Sequence, residues 1–294
     1  MNYQESFISY LQFEKRSSSH TVTAYKNDLD QFLQYCAEVV GEFNVYTIDS
    51  KIVRGWVVRL MESGLNPATV NRKITALKSF FRYLQKQKII AENPAVSIPL
   101  PKLRKKLPGF VEENRLNQLL DNDFFNDDFI GTRDKLIITL LYGAGIRLSE
   151  LTGLKDSDID IQLTQIKVLG KRNKERIIPY PVPVNSLLEV YWEKRRSLFG
   201  TNSERLLLTE KGKPVYAKLV YRVVNRELGK VTLLEKKSPH VLRHTYATHL
   251  MNNGADLNAV KELLGHSNLA ATQIYTHTTF KKVYEIYKQA HPRG

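Results

Sequence analysis

Four prolines fall within residues 92–109, ENPAVSIPLPKLRKKLPG, so no regular element can run through this stretch. Proline lacks an amide hydrogen and its ring fixes φ, so each one interrupts a hydrogen-bonded ladder. The stretch predicts a linker that divides the 294-residue chain into residues 1–91 and 110–294, each long enough for a core of its own. It is also basic: Lys102, Arg104, Lys105 and Lys106 crowd together with no acid among them. An extended positive connector suits a path along a phosphate backbone. Taken alone, the same run reads equally as a solvated hinge.

Residues 1–91 carry four amphipathic segments. Residues 2–15 read as a helix, broken at Ser17-Ser18-Ser19. A second starts near Thr21, with Val22, Tyr25, Leu29, Phe32, Leu33 and Cys36 at spacings of three and four. Thr47 or Asp49 caps a third, whose stripe is Ile52, Val53, Trp56, Val57 and Leu60, and Gly64 stops it. Asn66 caps a fourth with Pro67 at its first position, where the missing amide hydrogen has no helical partner to lose. Val70, Ile74, Leu77, Phe81 and Leu84 form its apolar stripe, leaving Arg72, Lys73, Lys78 and Arg82 for its outer surface.

The net charge of +14 makes a polyanion the expected partner, nucleic acid before an acidic membrane surface. The cations sit inside periodic segments rather than in a tail, which favours shaped basic surfaces. No run reaches the roughly 18 apolar residues of a membrane helix. The N-terminus, MNYQESFISYLQFEKR, has no apolar core ahead of a small-residue cleavage site, so no signal peptide is expected. The single cysteine, Cys36, excludes an internal disulfide and fits a reducing, cytoplasmic compartment.

Residues 110–294 read as mostly helical with one small antiparallel sheet. Helices are expected at Glu112–Asp121, over GTRDKLIITLLYGAG, over LSELTGL, and at about 184–199, 216–229, 239–253, 256–264, 268–276 and 280–289. Between them, LTQIKVLGKRNKERIIPYP alternates apolar and polar residues on both sides of a basic turn, as in a hairpin.

Chemistry concentrates between His240 and Tyr275. His240 and Arg243 share a helix face, and Pro239 leaves nearby amides open to an anion. His244 and His249 fall on other faces and read as packing or surface. His240 and His244 have the spacing of two zinc ligands, but no further cluster completes a site, and no metal is expected. Gly265 can end a helix in the left-handed conformation, with His266 at the bend and Tyr275 near the far end of the next helix.

These motifs together resemble the tyrosine recombinase (phage-integrase-like) family, and within it the Xer-type site-specific recombinases. The resemblance covers GAGIRLSEL at 143–151, VLGKRNKERIIP at 168–179, HVLRHTYATHL at 240–250 and LLGHSNLAATQIYTH at 263–277. In the first part it covers SSSHTVTAYKNDLDQF and NPATVNRKITALKSFFRYL. Ala144, Arg172 and Asn268-Leu269-Ala270 depart from the family's usual residues without removing a reactive group.

The resemblance implies a mainly α, two-domain clamp. Its N-terminal part is a four-helix, SAM-like core-binding domain, and its second part is a mostly helical catalytic domain with a small antiparallel β-sheet. The implied catalytic residues are Arg147, Lys171, His240, Arg243, His266 and Tyr275. Arg72, Lys73, Lys78, Lys102, Arg104, Lys105 and Arg172 are candidate DNA contacts. The implied partners are double-stranded DNA, a homo- or heterotetramer with a second recombinase, and an activating DNA translocase. No membrane and no cofactor enter.

The residue types suit that chemistry. A free phenol has a pKa of about 10, so Tyr275 needs positive neighbours and a base to act as a nucleophile. Two arginines grip a phosphate through paired hydrogen bonds that tighten as charge builds, and His266 adds a donor. His240 either accepts the tyrosine proton or holds the phosphate. Lys171 protonates the leaving oxygen. Glu150, one turn from Arg147, orients it or caps a network. Two other readings stand beside this one: a type IB topoisomerase-like enzyme, and a non-enzymatic DNA-binding protein on the same scaffold.

Overall fold

Caps and apolar stripes set where the helices begin. In the computed structural model, which describes residues 2–41, 43–103, 109–170, 175–201, 203–265 and 277–293 (only the backbone for 277–283), the chain divides into two units, Met1–Lys106 and Leu107–Gly294. Among the expected site residues, Lys171, Arg172, His266 and Tyr275 lie outside the described residues, as do Arg104, Lys105 and the whole of the helix expected at 268–276.

The first unit holds α1 (Tyr3–Ser9), which runs on through a π-helical turn at Tyr10–Glu14, then α2 (Ser19–Val40), α3 (Ser50–Glu62) and α4 (Pro67–Lys86). Ser18 caps α2, and Asp49, rather than Thr47, caps α3, its Oδ1 accepting from the amides of Lys51 and Ile52 at 2.9 Å. Asn66 caps α4 in the same way, and Pro67 follows it. The four helices close over Phe7, Leu29, Phe32, Trp56, Ile74, Leu77 and Phe81, with Phe32 edge-on to Trp56. Cys36 lies fully inside this core, and burial pushes its thiol up to about 11.

Lys73 corrects an expectation. It does not belong to the outer surface of α4: it is 4% exposed, and its Nζ donates to Asp28 Oδ1 at 3.0 Å and to Gln31 Oε1 at 2.5 Å. The buried face of α4 is wider than its apolar stripe, taking in Val70, Lys73, Ile74 and Leu77, and Asp28 of α2 supplies the charge that lets an ammonium sit there. Arg72 also bonds Asp28, with its side chain 43% exposed. Lys78 Nζ donates to Ile98 O at 2.8 Å. Lys102 is exposed.

That last contact of α4 belongs to the proline-rich stretch. Asn93 donates to Lys78 O, Ala95 and Ile98 are buried in the first unit's core, and Pro101 O accepts from Asn71. Its first half therefore lies against α4 without forming a regular element.

The second unit is built around α6 (Phe129–Gly143). Ile137, Ile138, Leu140, Leu141 and Tyr142 are all fully buried, because the C-terminal half of this helix is apolar on nearly every side and the helix is covered by α8 (Val184–Phe199), α9 (Ala217–Gly229) and α10 (Pro239–Asn252). Asp128 caps it, so the helix begins at Phe129, two residues ahead of the expected Gly131. The shorter α7 (Leu148–Gly153) packs on α6, α11 (Leu257–Leu264) packs on α10, and α5 (Glu113–Asp121) precedes them. A three-stranded antiparallel sheet runs in the order β1 (Ile159–Asp160), β2 (Gln165–Leu169), β3 (Glu175–Pro179), so the expected hairpin gains a short third strand. Across the hairpin, Val168 pairs with Arg176 and Ile166 with Ile178, and all four face inward.

The last helix, α12 (His277–Ala290), packs on its own chain against α10 and α11. Tyr287, Ala290 and His291 are buried; Tyr287 Oη donates to Gly143 O at 2.9 Å, and Arg293 forks onto Asp121. The His291 ring lies between those of Tyr142, Tyr246 and Tyr287, and burial lowers its pKa to about 3, so it is a neutral core group. Among the described residues, no helix is long and apolar enough to cross a membrane.

Candidate active site

The chain leaves α6 through Gly143-Ala144-Gly145, and Gly145 takes φ +57°, where a Cβ would lie 2.5 Å from the Tyr246 ring. Only glycine meets both demands. The turn delivers Arg147 to the start of α7, where Glu150 ties it down. The Arg147 amide donates to Glu150 Oε2 at 2.8 Å, and its Nη1 donates to Glu150 Oε1 at 2.8 Å. The expected orienting role of Glu150 is thus visible as two bonds to one residue.

Arg243 arrives from α10. Its side chain is buried, with Nη1 donating to Gly145 O and Nη2 to Leu264 O. Arg147 Nη2 donates to the same Leu264 O at 3.1 Å and to Gly265 O at 2.9 Å. Two arginines from distant parts of the sequence therefore meet at the C-terminal end of α11. Cations are favoured there, since the last carbonyls of a helix lack intrahelical donors and carry its negative partial charge. Gly265 ends α11 at φ +63°, the left-handed conformation expected of it, and His266 follows directly. His240 is exposed in the first turn of α10, three residues before Arg243, so the two share a face.

Arg176, on β3, is a member that the sequence reading passed over. Its Nη1 and Nη2 donate to Glu150 Oε1 and Oε2 at 2.7 and 2.9 Å. The available signal was the strand alternation, which puts it in phase with the inward Ile178; the neighbouring cations of the turn hid it. Burial pushes the Glu150 carboxyl up, but the bonds and charges of Arg176 and Arg147 outweigh this and leave it below the usual carboxylate range. Two guanidiniums grip this one carboxylate, and its charge also reaches a third, that of Arg243. Burial first, then the charges of Arg147 and Arg176, lower Arg243 to about 10. The cluster is short of negative charge, as a site built to receive an anion must be.

The remaining histidines of the region do other work. His249 is buried, with Nδ1 2.9 Å from Tyr142 Oη, and burial lowers its pKa; it is a packing group. His244 is half-buried on another face. Among the described residues, no three His, Cys, Asp or Glu side chains gather as a metal site.

Gly265→Ala is expected to destabilise the second unit by about 1–2 kcal/mol from the left-handed backbone alone. Crowding adds to this, since a Cβ there would stand 2.8 Å from Arg176 Nε. Gly254 supplies the control: its φ is +88° with open space around the missing Cβ, so Gly254→Ala carries the backbone penalty only. Urea denaturation of the two variants should show the larger loss at Gly265.

The profile of the phage integrase family matches residues 110–282, and that of the phage integrase N-terminal SAM-like domain matches residues 5–88. The chain is 37% identical to tyrosine recombinase XerC of Chlorobaculum tepidum, over 98% of this chain and 94% of that one. It is 38% identical to tyrosine recombinase XerC of Oceanobacillus iheyensis, over 99% and 96%. A solved structure of XerH recombinase bound to palindromic difH substrate, a post-cleavage complex, has a similar fold: TM-score 0.72, 24% identity, 96% of this chain and 83% of that one.

Proposed function

The chain belongs to the phage integrase family and is a tyrosine site-specific recombinase, and we propose that Arg147, Lys171, His240, Arg243, His266 and Tyr275 form its catalytic site. The observation that carries this assignment is the meeting of Arg147 and Arg243 on the Leu264 carbonyl, in a cluster with more guanidinium than carboxylate charge. A scissile phosphate supplies the missing anion. Its non-bridging oxygens take hydrogen bonds from both guanidiniums, which strengthen as charge accumulates in the transition state.

In the reaction, the Tyr275 phenolic oxygen bonds to phosphorus and the bond to the 5′-oxygen breaks. The tyrosine proton leaves to a base; His240, one turn ahead of Arg243, serves either as that base or as a further phosphate ligand. Lys171 gives a proton to the departing 5′-oxygen, and His266 donates to the phosphate. The 3′-phosphotyrosyl ester conserves the energy of the diester, so a 5′-hydroxyl from a partner duplex can reverse the step on a new strand. Two such exchanges pass through a four-way junction and require four protomers, of one kind or with a second recombinase; an activating DNA translocase fits the same scheme.

The N-terminal unit serves as the core-binding domain, residues 92–109 follow the backbone, and Arg72, Lys78, Lys102, Arg104, Lys105 and Arg172 contact DNA. Lys73 is withdrawn from that set, since it is buried with its ammonium held by Asp28 and Gln31, whereas Arg72, which also bonds Asp28, remains exposed. The working compartment is the bacterial cytoplasm. Recovery of covalently trapped genomic DNA, sequenced at the break, tests the reading. Breaks converging on one recurrent sequence support it. Breaks scattered without preference, or supercoil relaxation with no recombinant product, contradict it.

A further inference from the structure

Arg176 is the one guanidinium of the cluster with no part in the scheme above, and it is as deeply buried as Arg243. On a strand face where its neighbours Val168 and Ile178 are apolar, an aliphatic side chain would fill the position without desolvating a charge. The guanidinium instead completes a symmetrical clamp. Glu150 Oε1 accepts from Nη1 of both Arg147 and Arg176, while Oε2 accepts from the Arg147 amide and from Arg176 Nη2. A carboxylate held by two bonds on each oxygen cannot turn about its own axis. The Arg176 side chain also lies against Gly265, and its buried Nε has no hydrogen-bond partner among the described residues.

We infer that Arg176 is a positioning residue: by clamping Glu150 from the sheet side, it holds the Arg147 guanidinium in the orientation that receives the scissile phosphate. This rests on the assignment of Arg147 to the catalytic site. Among the described residues, the charged and titratable groups that bear on this cluster are Arg147 from the start of α7, Arg176 from β3, and Arg243 and Tyr246 from α10. Removing Arg176 leaves a buried carboxylate with fewer donors, so Glu150 protonates at higher pH and releases Arg147.

The test is single-turnover cleavage of a nicked suicide duplex between about pH 5 and pH 8, with gel-shift affinity measured in parallel. Arg176→Gln is expected to bind DNA as the wild type does and to cleave about 10- to 100-fold more slowly, as when a supporting partner is lost around other reactive centres. The acid side of its pH profile should move toward neutrality. Arg176→Lys, which keeps charge but not the fork, should recover part of the loss. It decides the question by the same shift if Arg176→Gln fails to bind. Adding Glu150→Gln should abolish the shift, and the double variant should be no slower than the slower single. A wild-type rate and profile for Arg176→Gln, a uniform loss at every pH, or losses that multiply in the double variant would overturn the inference. Arg147→Ala separates the two levels. If it cleaves normally, the site assignment fails; if it is inactive while Arg176→Gln is normal, only the role of Arg176 fails.

Discussion

Tyr275→Phe is expected to abolish covalent capture of DNA while leaving affinity for the duplex intact. The substitution removes one oxygen, the atom proposed to bond to phosphorus, and no other group in the cluster can take its place. Losing a nucleophile that acts in concert with its neighbours lowers turnover by about 10⁴- to 10⁶-fold, to what binding and electrostatics alone provide. Trapping on a nicked duplex, read as a shifted band under denaturing conditions, should fall below detection. The gel shift without denaturant should not change. Equal trapping by the variant would remove Tyr275 from the mechanism.

Arg243→Ala carries the second largest expected effect, a loss of about 10²- to 10³-fold or more in single-turnover cleavage, the scale of a lost transition-state donor. Arg243→Lys should restore little, because an ammonium cannot reproduce the fork that bonds Gly145 O and Leu264 O. Both variants also leave a buried carbonyl without its donor, which costs about 1–3 kcal/mol of stability. Melting curves taken alongside the kinetics separate the two losses. A variant that melts lower but cleaves normally would make Arg243 a brace rather than a phosphate ligand.

What the sequence allowed to be read follows from how local each feature is. The caps at Asp49 and Asn66 and the apolar run Leu136–Leu141 of α6 depend on neighbouring residues, and they appear where expected. Gly265 was legible for the same reason: a helix that runs out at a glycine turns left-handed. Lys73 was misplaced because a helical projection of α4 contains no information about Asp28 on α2. The two-residue β1 is too short to show a period, and its pairing with β2 exists only in the sheet. Arg147 and Arg243 could be named from motifs, but their meeting on one carbonyl is a product of the fold, with 98 positions separating Arg243 from the Gly145 carbonyl it also holds. Arg176 sat in plain alternation with Ile178, yet its partner Glu150 lies 26 positions upstream, and a basic hairpin turn gave no reason to single it out. The seat of α12 is of the same kind, since Tyr142 and Tyr246 become a lining for His291 only after α6 and α10 are packed.

The central claim, that Tyr275 bonds to the 3′-phosphate of a cut strand, is open to one direct measurement. Trypsin cleavage after Lys261 and Lys281 releases residues 262–281, ELLGHSNLAATQIYTHTTFK, in which Tyr275 is the only tyrosine. Protein trapped on a suicide duplex, digested with trypsin and nuclease, should yield this peptide carrying a nucleotide through its 3′-phosphate, with a free 5′-hydroxyl on the other side of the break. The nucleotide on residues 283–288, which contain Tyr284 and Tyr287, or on a residue other than tyrosine, or joined through a 5′-phosphate, would contradict it.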